Sequence, residues 1–126
     1  MVAAGVADKM LVQVAYAIGV ARPVGFFINT YGTAKVKDSE GNLMTDGEIA
    51  KRTTDLFDMR PYEIVKRFGL KNPIFEKTAS YGHFGREPFE AEVELTRNGE
   101  NVKEKVTFFG WEKLDKVEEV KSAFNL

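Results

Sequence analysis

The chain has 126 residues, which suffices for one ordinary domain with a hydrophobic core but not for two. Hydrophobic residues make up 44% and charged residues 29%, a globular composition, and the absence of cysteine excludes disulfides, thiolate nucleophiles and cysteine metal sites. The net charge of −1 argues against nucleic-acid binding, and the single histidine excludes a site that needs two histidines. The chain shows no secretory signal and no apolar run that could span a bilayer, so neither secretion nor membrane insertion is expected.

Two strands are predicted near the start of the chain. Residues Met10–Ala17 alternate between two sheet faces, and Val24–Tyr31 is rich in aromatic and β-branched residues. Gly19 and Pro23 supply turn chemistry between them. So short a connection favours antiparallel pairing of the two strands.

Two helices are predicted next. Thr45 and Glu48 have the spacing of a capping box, which marks a helix start. That helix should end near Asp58, since Pro61 restricts the residue before it, and Pro61 can open a second helix that stops at Gly69. The first helix carries its apolar stripe at Ile49, Thr53, Leu56 and Phe57.

A hairpin is the clearest secondary-structure prediction. Phe89–Leu95 alternates apolar residues with glutamates, and Asn98-Gly99 is the preferred type I′ turn. A two-residue loop aligns apolar pairs and opposite charges at the same time, so the register is well specified. The predicted pairs are Leu95 with Val102, Ala91 with Val106, Phe89 with Phe108, Glu94 with Lys103, and Glu92 with Lys105. Glu104 is the exception, because it shares the apolar face with Val93.

The remaining segments complete the architecture. Asn72–Pro88 lacks a clear period and is interpreted as loop, with Ile74–Lys77 as its candidate strand. A final surface helix is predicted from an apolar stripe at Leu114, Val117, Val120 and Phe124. The prediction is therefore an α+β two-layer sandwich, a mainly antiparallel sheet covered by helices on one face, formed by residues 1–126 as a single domain.

No arrangement of side chains indicates a self-contained active site. His83 and Arg86 allow a general base and a phosphate contact, but a loop histidine bonded to backbone is favoured because no catalytic carboxylate stands at suitable spacing. Lys35 follows a Gly-Thr turn and can approach a phosphate, although a plain turn explains the pattern better. The glutamates of the hairpin are better explained by their lysine partners than by acid–base chemistry. No spacing indicates a metal site.

Specific strings nevertheless resemble one known family. The strings are Val12–Ala21 (VQVAYAIGVA), Tyr31-Gly32-Thr33, Phe57–Pro61 (FDMRP), Pro73–Phe75 (PIF) and Thr78–Arg86 (TASYGHFGR). In this order and at this spacing they resemble the C-terminal domain of the S-adenosylmethionine synthetases, or methionine adenosyltransferases. The resemblance runs from about Val2 to Phe89, so residues 90–126 are expected to be an extra hairpin and helix beyond the short family pattern.

The resemblance implies a transferase that forms S-adenosylmethionine, phosphate and diphosphate from ATP, L-methionine and water, with Mg²⁺ and K⁺ as cofactors. It implies a cytoplasmic homodimer or homotetramer. The family's catalytic, triphosphate-binding and metal-binding residues lie in earlier domains, so no catalytic or metal-binding residue is expected here. We therefore expect a fragment with a non-native Met1, inactive alone, whose partners are the missing N-terminal and central domains.

One substrate contact is implied by the resemblance. The family's Ala-Ile-Gly turn approaches the adenosine end of the nucleotide, which nominates Ile18 as an apolar contact to adenine. The alternative for Ile18 is a core position. A different class of function also stays open, a stand-alone protein-binding or scaffolding module that reuses the domain. An RNA-binding domain is disfavoured by the near-neutral charge.

Overall fold

The computed structural model describes residues 1–126. Its strands form two antiparallel two-stranded sheets, β1–β2 and β3–β4. The elements are β1 (Leu11–Ala15), β2 (Gly25–Asn29), α1 (Asp46–Leu56), α2 (Pro61–Arg67), α3 (Phe75–Ala79), β3 (Phe89–Arg97), β4 (Glu100–Phe108) and α4 (Val117–Phe124). The α+β class and the antiparallel pairing are confirmed, but the strands form two separate sheets instead of one. Each hairpin closes through a short connection, whereas helices separate the two hairpins along the chain.

The chain divides into two compact units. The first unit comprises residues 1–61 and 114–126 and holds β1, β2, α1 and α4. The second unit comprises residues 62–113 and holds α3, the β3–β4 hairpin and all of α2 except Pro61. Each unit has its own cluster of buried apolar side chains. No helix in either unit is long and apolar enough to cross a bilayer.

Helices cover one face of the β1–β2 sheet in the first unit. Ile28 of β2 is buried with Ile49 of α1 and with Val120 and Phe124 of α4. The neighbouring residue on the strand, Phe27, points to the opposite face and is exposed. The alternation along β2 therefore separates a helix-covered face from an open one, as the sequence predicts for a two-layer arrangement.

Thr30 and Asp46 join the end of β2 to the start of α1. The Thr30 hydroxyl donates to Asp46 Oδ1 at 2.6 Å, and its backbone N–H donates to Asp46 Oδ2 at 3.2 Å. Thr30 is only 1% exposed, so both donors lose water on folding and the carboxylate replaces it. Asp46 is also the first residue of α1, where a negative charge interacts favourably with the helix dipole.

The predicted capping box at the start of α1 is confirmed. The Glu48 backbone N–H donates to Thr45 Oγ1 at 3.3 Å, and the Thr45 backbone N–H donates to Glu48 Oε2 at 2.7 Å. The hydrogen bond from the Thr45 backbone is the main reason that the pKa of Glu48 lies below its ordinary value of 4.5. The second predicted helix also forms, and Gly69 follows it with a φ of +60°.

The candidate strand at Ile74–Lys77 is wrong, because α3 (Phe75–Ala79) occupies this segment. Ile74 and Thr78 are both buried, and the Thr78 hydroxyl donates to the Ile74 carbonyl at 3.0 Å. Their spacing of four residues places both side chains on one helix face. Five residues are too few to show a helical period in the sequence, and the surrounding glycines and prolines favour a loop.

The register of the β3–β4 hairpin is confirmed at every predicted pair. Asn98 and Gly99 both have positive φ, 53° and 85°, as a type I′ turn requires. One ion pair differs from expectation, since Lys105 Nζ binds Glu90 Oε2 at 2.7 Å rather than Glu92, which lies opposite. The twist of a two-stranded ribbon brings such diagonal neighbours within reach of a long side chain.

The last predicted helix forms as α4, with part of its predicted stripe buried. Val120 and Phe124 are buried and contribute to the first unit's core. Leu114 precedes the helix and is 71% exposed, so its place on the stripe is wrong. The Arg52 guanidinium of α1 donates to the Ala123 carbonyl at 3.1 Å, which links the end of α4 to α1.

Thr45→Ala removes the cap of α1 and should lower the free energy of unfolding by about 1 kcal/mol, as measured by urea unfolding at neutral pH.

Glu48→Gln should weaken the acid dependence of stability. Because the folded-state pKa of Glu48 is lowered, its contribution is complete above pH 4.5 and is lost as the pH falls through the folded pKa. Urea unfolding at neutral pH and at about pH 3 measures this effect. Glu87→Gln is the control, and equal acid dependence in Glu48→Gln and wild type would contradict the prediction.

Two glycine substitutions should have opposite effects on stability. Gly99→Ala should lower the free energy of unfolding by about 1–2 kcal/mol, because alanine disfavours the φ of +85° at this position. Steric clash is not the reason, since nothing lies within 4 Å of a Cβ added at Gly99. Gly47→Ala lies in α1, where a Cβ meets only Thr45 Oγ1 at 4.0 Å, and should stabilise the chain by about 0.5 kcal/mol. Urea unfolding of both variants tests the contrast, and effects of the same sign would refute it.

Candidate functional site

The connection between β1 and β2 carries the predicted contact residue Ile18. Ile18 is fully exposed, so it is not part of the hydrophobic core of this chain. It occupies a turn in which the Val20 N–H donates to the Ala17 carbonyl at 3.2 Å and Gly19 has a φ of +79°. The Val24 N–H donates to the Ala15 carbonyl at 2.9 Å and closes the base of the connection. The turn thus presents a branched apolar side chain to solvent.

The junction between α1 and α2 lies beside this connection in the first unit. Arg60 Nε donates to Asp58 Oδ1 at 2.9 Å, and Arg60 Nη2 donates to Asp58 Oδ2 at 2.6 Å. The Arg60 backbone N–H also donates to Asp58 Oδ1, at 3.1 Å. These bonds lower the pKa of Asp58 below its usual value, with a smaller contribution from the positive charge of Arg22. The junction is therefore a charged, internally bonded segment of chain.

Residues 22–26, 54–55 and 57–60 together line a cleft of about 640 Å³. The cleft includes the charged side chains of Arg22, Asp55, Asp58 and Arg60. Four residues of the Phe57–Pro61 string line this cleft, whereas no residue of the Val12–Ala21 string does, although both strings lie in the first unit. Neither Arg22 nor Asp58 was predicted from the sequence as part of this cleft, although Asp58 belongs to the FDMRP string.

One side-chain hydrogen bond joins the two segments. The Tyr16 hydroxyl donates to the Met59 carbonyl at 2.5 Å, across 43 positions of sequence. This bond was not predicted, because the alternation of residues along the strand indicates only the face on which Tyr16 lies.

His83 and Arg86 lie in the second unit, and their contacts are structural. Arg86 Nη1 donates to the Ser80 carbonyl at 3.1 Å, and the guanidinium lies 4.8 Å from the ring centroid of Phe109. Trp111 Nε1 donates to the His83 carbonyl at 2.9 Å, and the His83 ring packs on neighbouring aromatic rings. The arginine is committed to carbonyls of its own loop, which supports the interpretation that this segment is a packed loop rather than a phosphate site.

The Gly-Thr turn before Lys35 is also structural. The Thr33 hydroxyl donates to the Thr30 carbonyl at 2.7 Å and accepts from the backbone N–H of Lys9 at 3.0 Å. Lys35 forms an ion pair with Asp8. These bonds tie the turn to the segment that precedes β1 and leave the plain-turn interpretation in place.

The acidic face of the hairpin is a row of exposed ion pairs. Lys105 binds Glu90, and Lys103 Nζ lies 3.4 Å from Glu94 Oε1. The hydrogen bond from Lys105 lowers the pKa of Glu90, and the same bond raises the pKa of Lys105. The lowered pKa of Glu90 is the opposite of what a general acid needs. Nowhere in the chain do three or more His, Asp or Glu side chains cluster as a metal site would require.

Comparison with known proteins identifies the family. The sequence profile of the S-adenosylmethionine synthetase C-terminal domain matches residues 1–94. Curated S-adenosylmethionine synthases from Cytophaga hutchinsonii and Flavobacterium johnsoniae are each 54% identical over 127 aligned residues, which cover the whole of this chain. The matched region, which includes residues 95–126, amounts to 29% of each relative, so the chain spans less than a third of their length.

A solved structure agrees with the sequence comparisons. An unusual S-adenosylmethionine synthetase from Campylobacter jejuni superposes with a TM-score of 0.69 and 28% identity, covering 97% of this chain and 26% of that one. The order of the strings in the first unit, the sequence profile and this likeness all lead to the same assignment. The chain belongs to the S-adenosylmethionine synthetase C-terminal domain family.

Proposed function

We propose that this chain serves as the C-terminal domain of a methionine adenosyltransferase, which forms S-adenosylmethionine, phosphate and diphosphate from ATP, L-methionine and water. The observation that carries the proposal is 54% identity to two S-adenosylmethionine synthases over the whole of the chain. Since the chain spans 29% of those proteins, the activity belongs to a longer polypeptide. Residues 1–126 act as one domain in this proposal, with 90–126 as an addition to the short family pattern.

Residues of this chain have few direct roles in the proposed reaction. The methionine sulfur attacks the ribose C5′ carbon of ATP, the triphosphate leaves intact, and water then cleaves it. Mg²⁺ and K⁺ are proposed to offset the negative charge of the leaving group in the whole enzyme. No group of three or more acidic or histidine side chains gathers in this chain, and we propose that metal binding and catalysis belong to the earlier domains rather than to its residues. We therefore assign no catalytic step to them.

The proposed contribution of this chain to substrate binding is Ile18. The exposure of its side chain at the tip of the β1–β2 connection supports a contact with the adenine ring of ATP. A planar apolar base is a suitable partner for such a side chain, since covering both removes apolar surface from water.

The proposed partners are the N-terminal and central domains of the same polypeptide, within a cytoplasmic homodimer or homotetramer. The exposed apolar side chains of Leu11 and Phe27 on the open face of the β1–β2 sheet support a covered surface in the whole protein. The alternative of a stand-alone scaffolding module has no support from the comparisons, because the relatives named above are synthases.

A chimera tests the proposal directly. The segment of the Cytophaga hutchinsonii synthase that matches this chain is replaced by residues 1–126, and formation of S-adenosylmethionine from ATP and methionine is measured. We expect activity within about tenfold of the parent, since the two segments are 54% identical. A chimera that elutes at the parent's size but makes no S-adenosylmethionine, while the parent does, would overturn the proposed function.

The 126-residue chain alone should form no S-adenosylmethionine above background with ATP, methionine, Mg²⁺ and K⁺. The reason is that the proposal places the catalytic, triphosphate-binding and metal-binding groups in the earlier domains of the longer polypeptide. The unaltered parent synthase at equal concentration is the positive control. Product from the pure chain would show that it contains catalytic groups that we have not assigned.

Ile18→Ala in the chimera should raise KM for ATP roughly tenfold and leave KM for methionine unchanged, because it removes apolar area from the adenine contact only. Val20→Ala is the matched control, since Val20 is an exposed branched residue of the same turn. Steady-state kinetics with each substrate varied in turn measures both constants. Equal KM values for ATP in the two variants would remove Ile18 from the site.

A further inference from the structure

The β1–β2 connection is anchored at one point by a side chain. The Tyr16 hydroxyl donates to the Met59 carbonyl at 2.5 Å. Tyr16 directly follows β1, and Met59 lies between the end of α1 and the start of α2. Neither residue belongs to a helix or strand, so the bond joins two irregular segments. Among residues 16–24, Tyr16 alone forms a side-chain hydrogen bond, and this is that bond.

The acceptor side of this bond is stiff. Asp58 and Arg60 flank Met59 and bond to each other through two guanidinium nitrogens and a backbone N–H. Pro61 then restricts the backbone of Arg60. The hydrogen bonds between Asp58 and Arg60 thus restrain the backbone on both sides of Met59. They restrain the position of the carbonyl oxygen that accepts from Tyr16.

The donor side is a turn that lacks packing of its own. Ile18 at its tip is fully exposed, and Gly19 has a positive φ. The turn's internal bond, from the Val20 N–H to the Ala17 carbonyl at 3.2 Å, sets its local shape but not its orientation relative to α1. The hydrogen bond of Tyr16, two residues before Ile18, is the nearest side-chain contact that can set this orientation.

We propose that Tyr16 is a positioning residue that holds the Ile18 turn against the α1–α2 junction and so pre-orients the nucleotide contact. This inference rests on the proposed function for the role of Ile18, while the anchor itself does not depend on it. Tyr16 touches no substrate in this proposal. A turn fixed before binding does not have to be ordered by the ligand, so the bond improves nucleotide binding without adding a contact.

The anchor is tested on the 126-residue chain itself. Tyr16→Phe removes the hydroxyl and keeps the ring, and Tyr62→Phe is the matched control on an exposed tyrosine of the second unit. Backbone ¹⁵N order parameters at Ile18, Gly19 and Val20 should fall in Tyr16→Phe only, with the melting temperature close to that of wild type. Unchanged order parameters would overturn the anchor, and a large fall in melting temperature would make Tyr16 a residue of general stability instead.

The consequence for binding is tested in the chimera. Tyr16→Phe should raise KM for ATP roughly fivefold, with kcat and KM for methionine near those of the unmodified chimera and of Tyr62→Phe. Equal KM values for ATP, or parallel rises for both substrates, would overturn the positioning role. An inactive unmodified chimera overturns the proposed function, and the order parameters still decide the anchor separately.

Discussion

The double hydrogen bond from Thr30 to Asp46 is the constraint on which the first unit depends. Thr30 is buried and directs both its hydroxyl and its backbone N–H to one carboxylate. Loss of that carboxylate would leave two buried donors without partners, which is costly, so the end of β2 and the start of α1 stay together. This link sets the face of α1 that packs on β2, and α1 in turn delivers the Phe57–Arg60 junction to the β1–β2 connection.

The family-like strings have different physical roles in the two units. In the first unit, Val12–Ala21 and Phe57–Pro61 lie on neighbouring segments joined by the Tyr16–Met59 bond, beside a charged cleft. In the second unit, Arg86 of the Thr78–Arg86 string bonds to carbonyls of its own loop and lies over a buried aromatic ring. A matching string therefore identifies a family, but the contacts decide whether its residues build a site or hold a loop in place.

How far the sequence predicts the site differs for Ile18 and Tyr16. The Ala-Ile-Gly turn nominates Ile18 through the resemblance, whereas the sequence does not show that its side chain lies outside the core of this chain, which the structure shows. Tyr16 belongs to the Val12–Ala21 string, but nothing in the sequence indicates its bond, because an aromatic residue at the end of a strand is ordinary and its partner is a backbone carbonyl 43 positions away. Backbone acceptors have no side-chain identity, so no residue pattern can mark them.

The sequence by itself determined the features whose partners lie a few residues apart. The Thr45–Glu48 capping box and the Asn98-Gly99 hairpin, with its register, follow from local spacing, because each is closed by bonds within a short loop. Only the tertiary structure decided the separation into two sheets, the short helix α3, the shift of Lys105 to Glu90, and the links from Thr30 to Asp46 and from Tyr16 to Met59. The two hydrogen-bonded links and the Lys105–Glu90 ion pair depend on how close the folded chain brings their side chains. A pattern of residues along the sequence does not contain distances between segments that lie far apart or on twisted strands.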